Sequence, residues 1–346
     1  MSVKAIKPET FSHWDYLLFA GLTLVIFLVC VAVGSVNVPL ERTVEVIINA
    51  LRGLPQPDGT AAPIILSSRL PRVICVALVG ASLSIGGAAM QGLLKNPLAD
   101  GTTLGVSNGA SLGAILAIFL GISIPGAPIA ASMAMAMLFA FLSLIIILTL
   151  AYRLDYSLST NTIILLGIIY SMFMSSVIAL LTTFAGERVH NIVFWLMGSL
   201  AGSTYMTAAV LAIVALVCGG VLLGHARELN AFAIGEDTAR HIGVDVRRVR
   251  LTVLVAVSAL IGVCVSAGGV IGFVGLVTPH MVRMVTGPNH KRLLPGTLFG
   301  GACFLMLADL LARTILSPRE LPIGVVTSLI GAVVFLFIFF RMRKGR

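Results

Sequence analysis

The chain has 346 residues, 58% of them hydrophobic and only 11% charged, where soluble domains carry about 25% charge. That balance excludes a soluble globular enzyme, and apolar runs long enough to cross a bilayer recur from end to end, so the sequence predicts a polytopic all-α membrane protein. The formal charge of +9 would suit nucleic acid, but the basic residues lie at the ends of apolar runs, where anionic headgroups and membrane orientation account for them.

Ten spans are predicted, at 15–36, 70–94, 103–121, 128–152, 160–184, 206–224, 249–267, 270–287, 294–316 and 322–341. They form one transmembrane domain over residues 1–346, with halves at about 15–204 and 205–346. The first span follows Lys4 and Lys7 but exceeds a signal-peptide core and lacks an A-x-A site, so it is an anchor. Residues 37–69 are a Pro- and Gly-rich insert whose amphipathic piece, Leu40–Leu51, is expected along the surface. Residues 187–204 are too polar to cross, and a short helix is predicted around Val193–Leu200.

The most polar internal stretch is RELNAFAIGEDTARHIGVDVRRVR, residues 227–250. Leu229–Ile234 and Glu236–Ile242 are predicted short helices, stopped by Gly235 and Gly243 in left-handed backbone. The second has Glu236 and Asp237 in its first turn and Arg240 and His241 in its last, the order a helix dipole favours. Two stiff helices in a basic loop suit a handle for a partner protein; a solvated loop is the alternative. Basic residues also orient the chain. With ten spans both termini share a side, and that side holds 16 of the 23 Lys and Arg residues, including this loop. It is therefore assigned to the cytoplasm.

Residues 77–99 align without gaps on 259–281, sharing Gly80/Gly262, Ser84/Ser266, Gly86/Gly268, Gly87/Gly269 and Pro97/Pro279. The copies lie five spans apart, and an odd separation inverts the second, the repeat design of many transporters. Gly105, Gly109 and Gly113 are spaced for close helix packing. Asn96, Pro97 and Pro279 are expected to break helix ends beside a pathway, since irregular backbone at membrane depth survives only against protein or water.

No GxxxxGK[ST] loop, HExxH or Ser/His/Asp order occurs, so no catalytic residue is assigned and ATP hydrolysis is not expected here. The five cysteines show no metal-ligand spacing, and no metal site is assigned. Asp309 is the one acidic residue deep in a span, and Arg313 follows one turn later, so an ion pair is predicted, with a proton relay as the alternative. His280, beside Pro279, is read as a hydrogen-bonded structural residue.

Several stretches together resemble the FecCD-type permeases of ABC importers, which carry iron–siderophore complexes, haem or cobalamin. They are RLPR at 69–72, MQGLLKNPLADGTTLGVSNGASLG at 90–113, AFAIGEDTARHIGV in the polar loop, GGVIGFVGLVTPHMVR at 268–283, LLPGTLFGGACFLMLADLLAR at 293–313 and ELPIGVVTSLIGAVVF at 320–335. The resemblance covers about Tyr16 to Arg343; Gly101 stands where the family's first block usually has proline. It implies two permease subunits, identical or paralogous, in the bacterial cytoplasmic membrane. With them work a cytoplasmic ATPase dimer that uses ATP and Mg, and an extracytoplasmic solute-binding protein; no cofactor is covalently bound, and lipid rather than nucleic acid is the remaining partner. It further implies that the 227–250 loop couples to the ATPase, its AxxxGxxxAxxxG pattern falling on Ala231, Gly235, Ala239 and Gly243, with Glu236 and Arg240 between them. By the same resemblance Arg69, Arg72 and Arg313 dock the binding protein, and Ser157, Ser159 and Thr160 lie at a gate. The expected function is inward passage of a ferric siderophore or similar large chelate by ATP-driven alternating access. Haem or cobalamin is the alternative cargo, and an ion-gradient-driven carrier the alternative class.

Overall fold

The computed structural model describes residues 10–57, 59–124, 128–155 and 159–344. The long helices are α1 (His13–Ala32), α3 (Leu70–Leu94), α4 (Val106–Leu120), α5 (Pro128–Leu154), α6 (Thr160–Thr183), α8 (Tyr205–Gly224), α11 (Val246–Gly268), α12 (Val274–Thr286), α13 (His290–Thr314) and α14 (Ile323–Lys344). Between them lie α2 (Leu40–Arg52), α7 (Val189–Leu196), α9 (Ala226–Ile234) and α10 (Glu236–His241).

Every expected span contains a helix. Among the described residues seven helices are long and apolar enough to cross a membrane, and α4 and α14 supply shorter apolar helices. The expected span 270–287 is not continuous. α12 has 13 residues, about 20 Å at 1.5 Å per residue, against a hydrocarbon core of about 30 Å. Gly269, at φ +69°, ends α11, and Phe273, at φ +66°, precedes α12. The surface helix α2 falls where its amphipathic pattern put it, with Thr43 and Val46 buried and Leu40 and Leu51 exposed. α7 starts and ends about four residues earlier than expected, because the backbone reverses at Gly198, φ +76°.

Neighbour relations follow the internal repeat. α3 packs on α12 and α13 as α11 packs on α4 and α5, and α4–α5 and α4–α6 are echoed by α12–α13 and α12–α14. The two halves repeat one arrangement, and they meet through glycine. The space a Cβ on Gly80 would need is filled by the Gly301 carbonyl, and that on Gly87 by the Gly275 carbonyl. Backbones this close give apolar helices the dispersion contact that lipid cannot. Gly109 and Gly113 do the same for α4 against Ser143 and Met135 of α5. α3, α11 and α13 are buried over most of their surface, whereas α1 and α6 are largely exposed. α1 and α8 depart from the echo: α1 lies on α13, while α8 lies against α3 and α11.

Candidate functional site

The polar loop is a folded platform. α9 buries Leu229 and Phe232 and packs on α3 and α13. Asn230 ties it to the start of α13: its Nδ2 donates to Asn289 Oδ1 at 2.7 Å, and His290 N donates to Asn230 Oδ1 at 2.8 Å. α10 ends in a paired cap, with Gly243 N donating to Arg240 O and Val244 N to Ala239 O, both at 3.0 Å, and Gly243 at φ +89°. Gly235 differs from expectation. Its φ of 160° and ψ of 146° are extended, so it joins α9 to α10 by a straight step.

The expected coupling residues divide into two sets. Ala231 and Ala239 are buried and seat the platform, while Arg240 and Gly243 are exposed. Glu236 pairs with Arg250, a wholly buried side chain of α11 that also lies 5.9 Å from the Phe232 ring centroid. Arg250 was not anticipated. The signal was present, since Val246, Val249, Arg250 and Val253 share one helical face, and an arginine on an apolar stripe needs a partner. Two apolar side chains point outward instead, Ile234 at 74% and Ile242 at 64% exposure. The platform is held to the three buried helices and tipped with exposed isoleucines.

At the other expected site, Arg69, Arg72 and Arg313 are not on the surface; all three are buried. The reason is the end of α1. A helix leaves its last carbonyls unpaired, and α1 has no basic residue in its last turn. Arg69 donates to the carbonyls of Val31 (3.3 Å), Ala32 (2.8 Å) and Val36, and Arg313 to those of Cys30 (3.1 Å) and Val33 (3.2 Å). The predicted pair Asp309–Arg313 is present, with Arg313 Nε 2.8 Å from Asp309 Oδ2 but off-line for a hydrogen bond. Arg72 is the partner that sequence missed: its Nε and Nη2 donate to Asp309 Oδ1 at 3.1 and 2.9 Å, and its Nη1 to Glu320 Oε2 at 2.7 Å. An aspartate held between two arginines has the geometry of a structural anchor. Of the cluster only Glu320 reaches outward, at 32% side-chain exposure.

Asn96 and Pro97 do follow a helix end, after Lys95 at φ +48°. Pro279 does not; it lies inside α12 and is buried. Its missing N–H frees the carbonyl four residues back, which is that of Gly275, the group seated against Gly87. The two repeat prolines therefore act differently, yet the structure joins their surroundings. His280 Nε2 stands 2.9 Å from Pro97 O, Arg283 donates to Gln91 Oε1 at 3.0 Å, and Gln91 donates to Leu276 O at 3.3 Å. Of the expected gate, Ser157 lies outside the described residues. Ser159 N donates to Asp155 Oδ2 at 3.1 Å, its Oγ lies 2.9 Å from Thr162 Oγ1, and Thr160 begins α6.

Known proteins agree with this architecture. The model of the FecCD transport family matches residues 22–341. The hemin transport system permease protein of Yersinia pestis is 37% identical, over 93% of this chain and 96% of its own length. A cobalamin import system permease protein of Halobacterium salinarum is 37% identical, over 83% of this chain and 75% of its own. A solved inward-facing structure, assigned to a metal-chelate type ABC transporter, superposes with a TM-score of 0.83 at 31% identity, covering 95% of this chain and all of that one. With a buried-helix frame, a folded loop platform and a family match over nearly its whole length, the chain belongs to the FecCD transport family and is a membrane permease of the ABC importer class.

Proposed function

We propose that the chain passes a ferric siderophore or a chelate of similar size inward, driven by ATP hydrolysed on a separate subunit. The observation that carries this is the α9–α10 platform, locked to α3, α11 and α13 and exposing Ile234 and Ile242. ATPase closure pushes the platform; the frame moves with it, and the passage between the two permease subunits opens to the other side. Both termini and the platform face the cytoplasm in this reading, and two copies of the chain form the pathway between them. The binding protein docks over Arg72, a carboxylate of the partner displacing Glu320 from its outward Nη1.

Haem and cobalamin are the other cargoes in the class, being carried by the named relatives. The test is reconstitution in liposomes with the ATPase and binding protein, screened over ferric hydroxamates, ferric catecholates, haem and cobalamin. Stimulated hydrolysis and uptake with a ferric chelate support the reading. Stimulation by haem or cobalamin alone reassigns the cargo, and uptake that survives without ATP but collapses with an ionophore overturns the mechanism.

A further inference from the structure

α5, α8 and α11 enclose a trench. At one end it is a cavity of about 520 Å³, walled by Ser132 of α5, Arg188 just before α7, Asn191 of α7, Thr207 of α8 and Ser266 of α11. Next to it lies a cavity of about 200 Å³, walled by Phe141 and Leu144 of α5, Val214 of α8 and Ala259 and Gly262 of α11. The same helices line both in consecutive turns, Met133 then Met137 on α5 and Ser266 then Gly262 on α11, so the two cavities follow one another along the same helix interface. Its α11 floor, Val255 to Gly269, is about 21 Å long at 1.5 Å per residue, enough to run through one leaflet of a hydrocarbon core about 30 Å thick.

The internal repeat explains why the trench exists. On α3 the repeat positions Gly80 and Ser84 are closed by the Gly301 backbone of α13. On α11 the matching positions Gly262 and Ser266 line the trench, and a Cβ on Gly262 would meet only Ala140 Cβ, at 2.9 Å. At Gly262 the near neighbour is a side chain, Ala140 of α5, in place of the backbone-to-backbone contact that closes Gly80.

The trench is polar at one end and hydrocarbon at the other. Arg188 Nη1 donates to the carbonyls of Ile118 and Phe119 at the end of α4, which fixes a cation at the polar mouth. Along the apolar part the rim residues Met137, Phe141 and Val255 are exposed, as lipid-facing groups are. A charged mouth above a membrane-depth apolar slot has the pattern of an amphiphile with an anionic head. We propose that the trench is a binding site for one phospholipid, its acyl chain along α11 and its phosphate at Arg188.

The test is native mass spectrometry of the full permease–ATPase complex, released from detergent containing phosphatidylglycerol and phosphatidylcholine. One phospholipid is expected per permease copy. Phosphatidylglycerol should be preferred about fivefold, the factor that ~1 kcal/mol for one arginine near a charged headgroup gives. Ala259→Phe, which fills the slot from an exposed position, should remove the bound lipid, and Arg188→Gln should abolish the preference. Met137→Trp at the rim gives the same readout should Ala259→Phe fail to assemble. Retention unchanged in the slot variants would mean annular lipid only and overturn the site. So would a disulfide linking Met137→Cys of two copies, which would place the second permease there; loss of transport with lipid retention intact would bear on the transport reading alone.

Discussion

Asp309 shows what one buried charge can organise. Its carboxylate faces two guanidinium groups, Arg72 and Arg313, in a place where Asp309 itself is 1% exposed. Removing its charge leaves two buried cations underpaired, a loss of about 3–5 kcal/mol by the usual cost of breaking a buried ion pair. Asp309→Asn should therefore lower the thermal midpoint of the detergent-purified permease strongly, while Asp309→Leu with Arg72→Met should recover part of the loss. Glu320 stands in a different relation, being partly exposed and accepting from the outer Nη1 of Arg72 and, at 3.4 Å, from Ser35 Oγ. Glu320→Ala should cost little stability, because Arg72 keeps both bonds to Asp309, and should tighten binding-protein affinity up to about fivefold, the factor that one net hydrogen bond of ~1 kcal/mol gives; titration of the binding protein against vesicle-embedded complex measures it. The Asp309–Arg313 spacing was legible from one helix turn. Arg72 was not, because it comes from a helix 237 residues away in the chain.

Among elements, the α9–α10 platform was the most legible. Charge order and glycine stops are local signals, and both short helices lie within about three residues of where those signals put them. What sequence could not supply was the attachment, since Asn230–Asn289 and Glu236–Arg250 are tertiary bonds. Arg250→Gln should uncouple the complex: ATP hydrolysis continues while uptake falls on the order of tenfold, as a charge-assisted bond worth ~1.5–3 kcal/mol is lost. Ile234→Asp should act otherwise, reducing ATPase affinity about 30-fold, the effect of losing an interface residue worth ~2 kcal/mol, with folding intact because Ile234 is exposed. Pull-down and hydrolysis assays on both variants separate the two. The short helix α12 was misjudged as a full span for a plain reason: hydropathy counts residues and does not see that 269–273 is irregular backbone.

For the molecule as a whole, span positions and the repeat were readable because a bilayer imposes length and composition on every helix it contacts. The seam between halves was half-readable: the glycines were visible as packing residues, but their partners across the chain were not. Gly87 is the sharpest point of that seam, its open side filled by the Gly275 backbone. Gly87→Val should push the halves apart at an overpacking cost of about 1–3 kcal/mol or more, visible as a lowered melting midpoint and lost uptake even when ATPase binding is kept. The clasp on α1 has a further consequence, for biogenesis. Arg313 reaches Cys30 O across 283 residues of chain, so at ~5–20 residues per second of synthesis the first helix waits roughly 15–60 s in the membrane before the last of its donors is made. Throughout that interval, most of the time the chain is being made, Arg69 alone can cap the helix end and the Cys30 and Val33 carbonyls stay open to quality-control proteases.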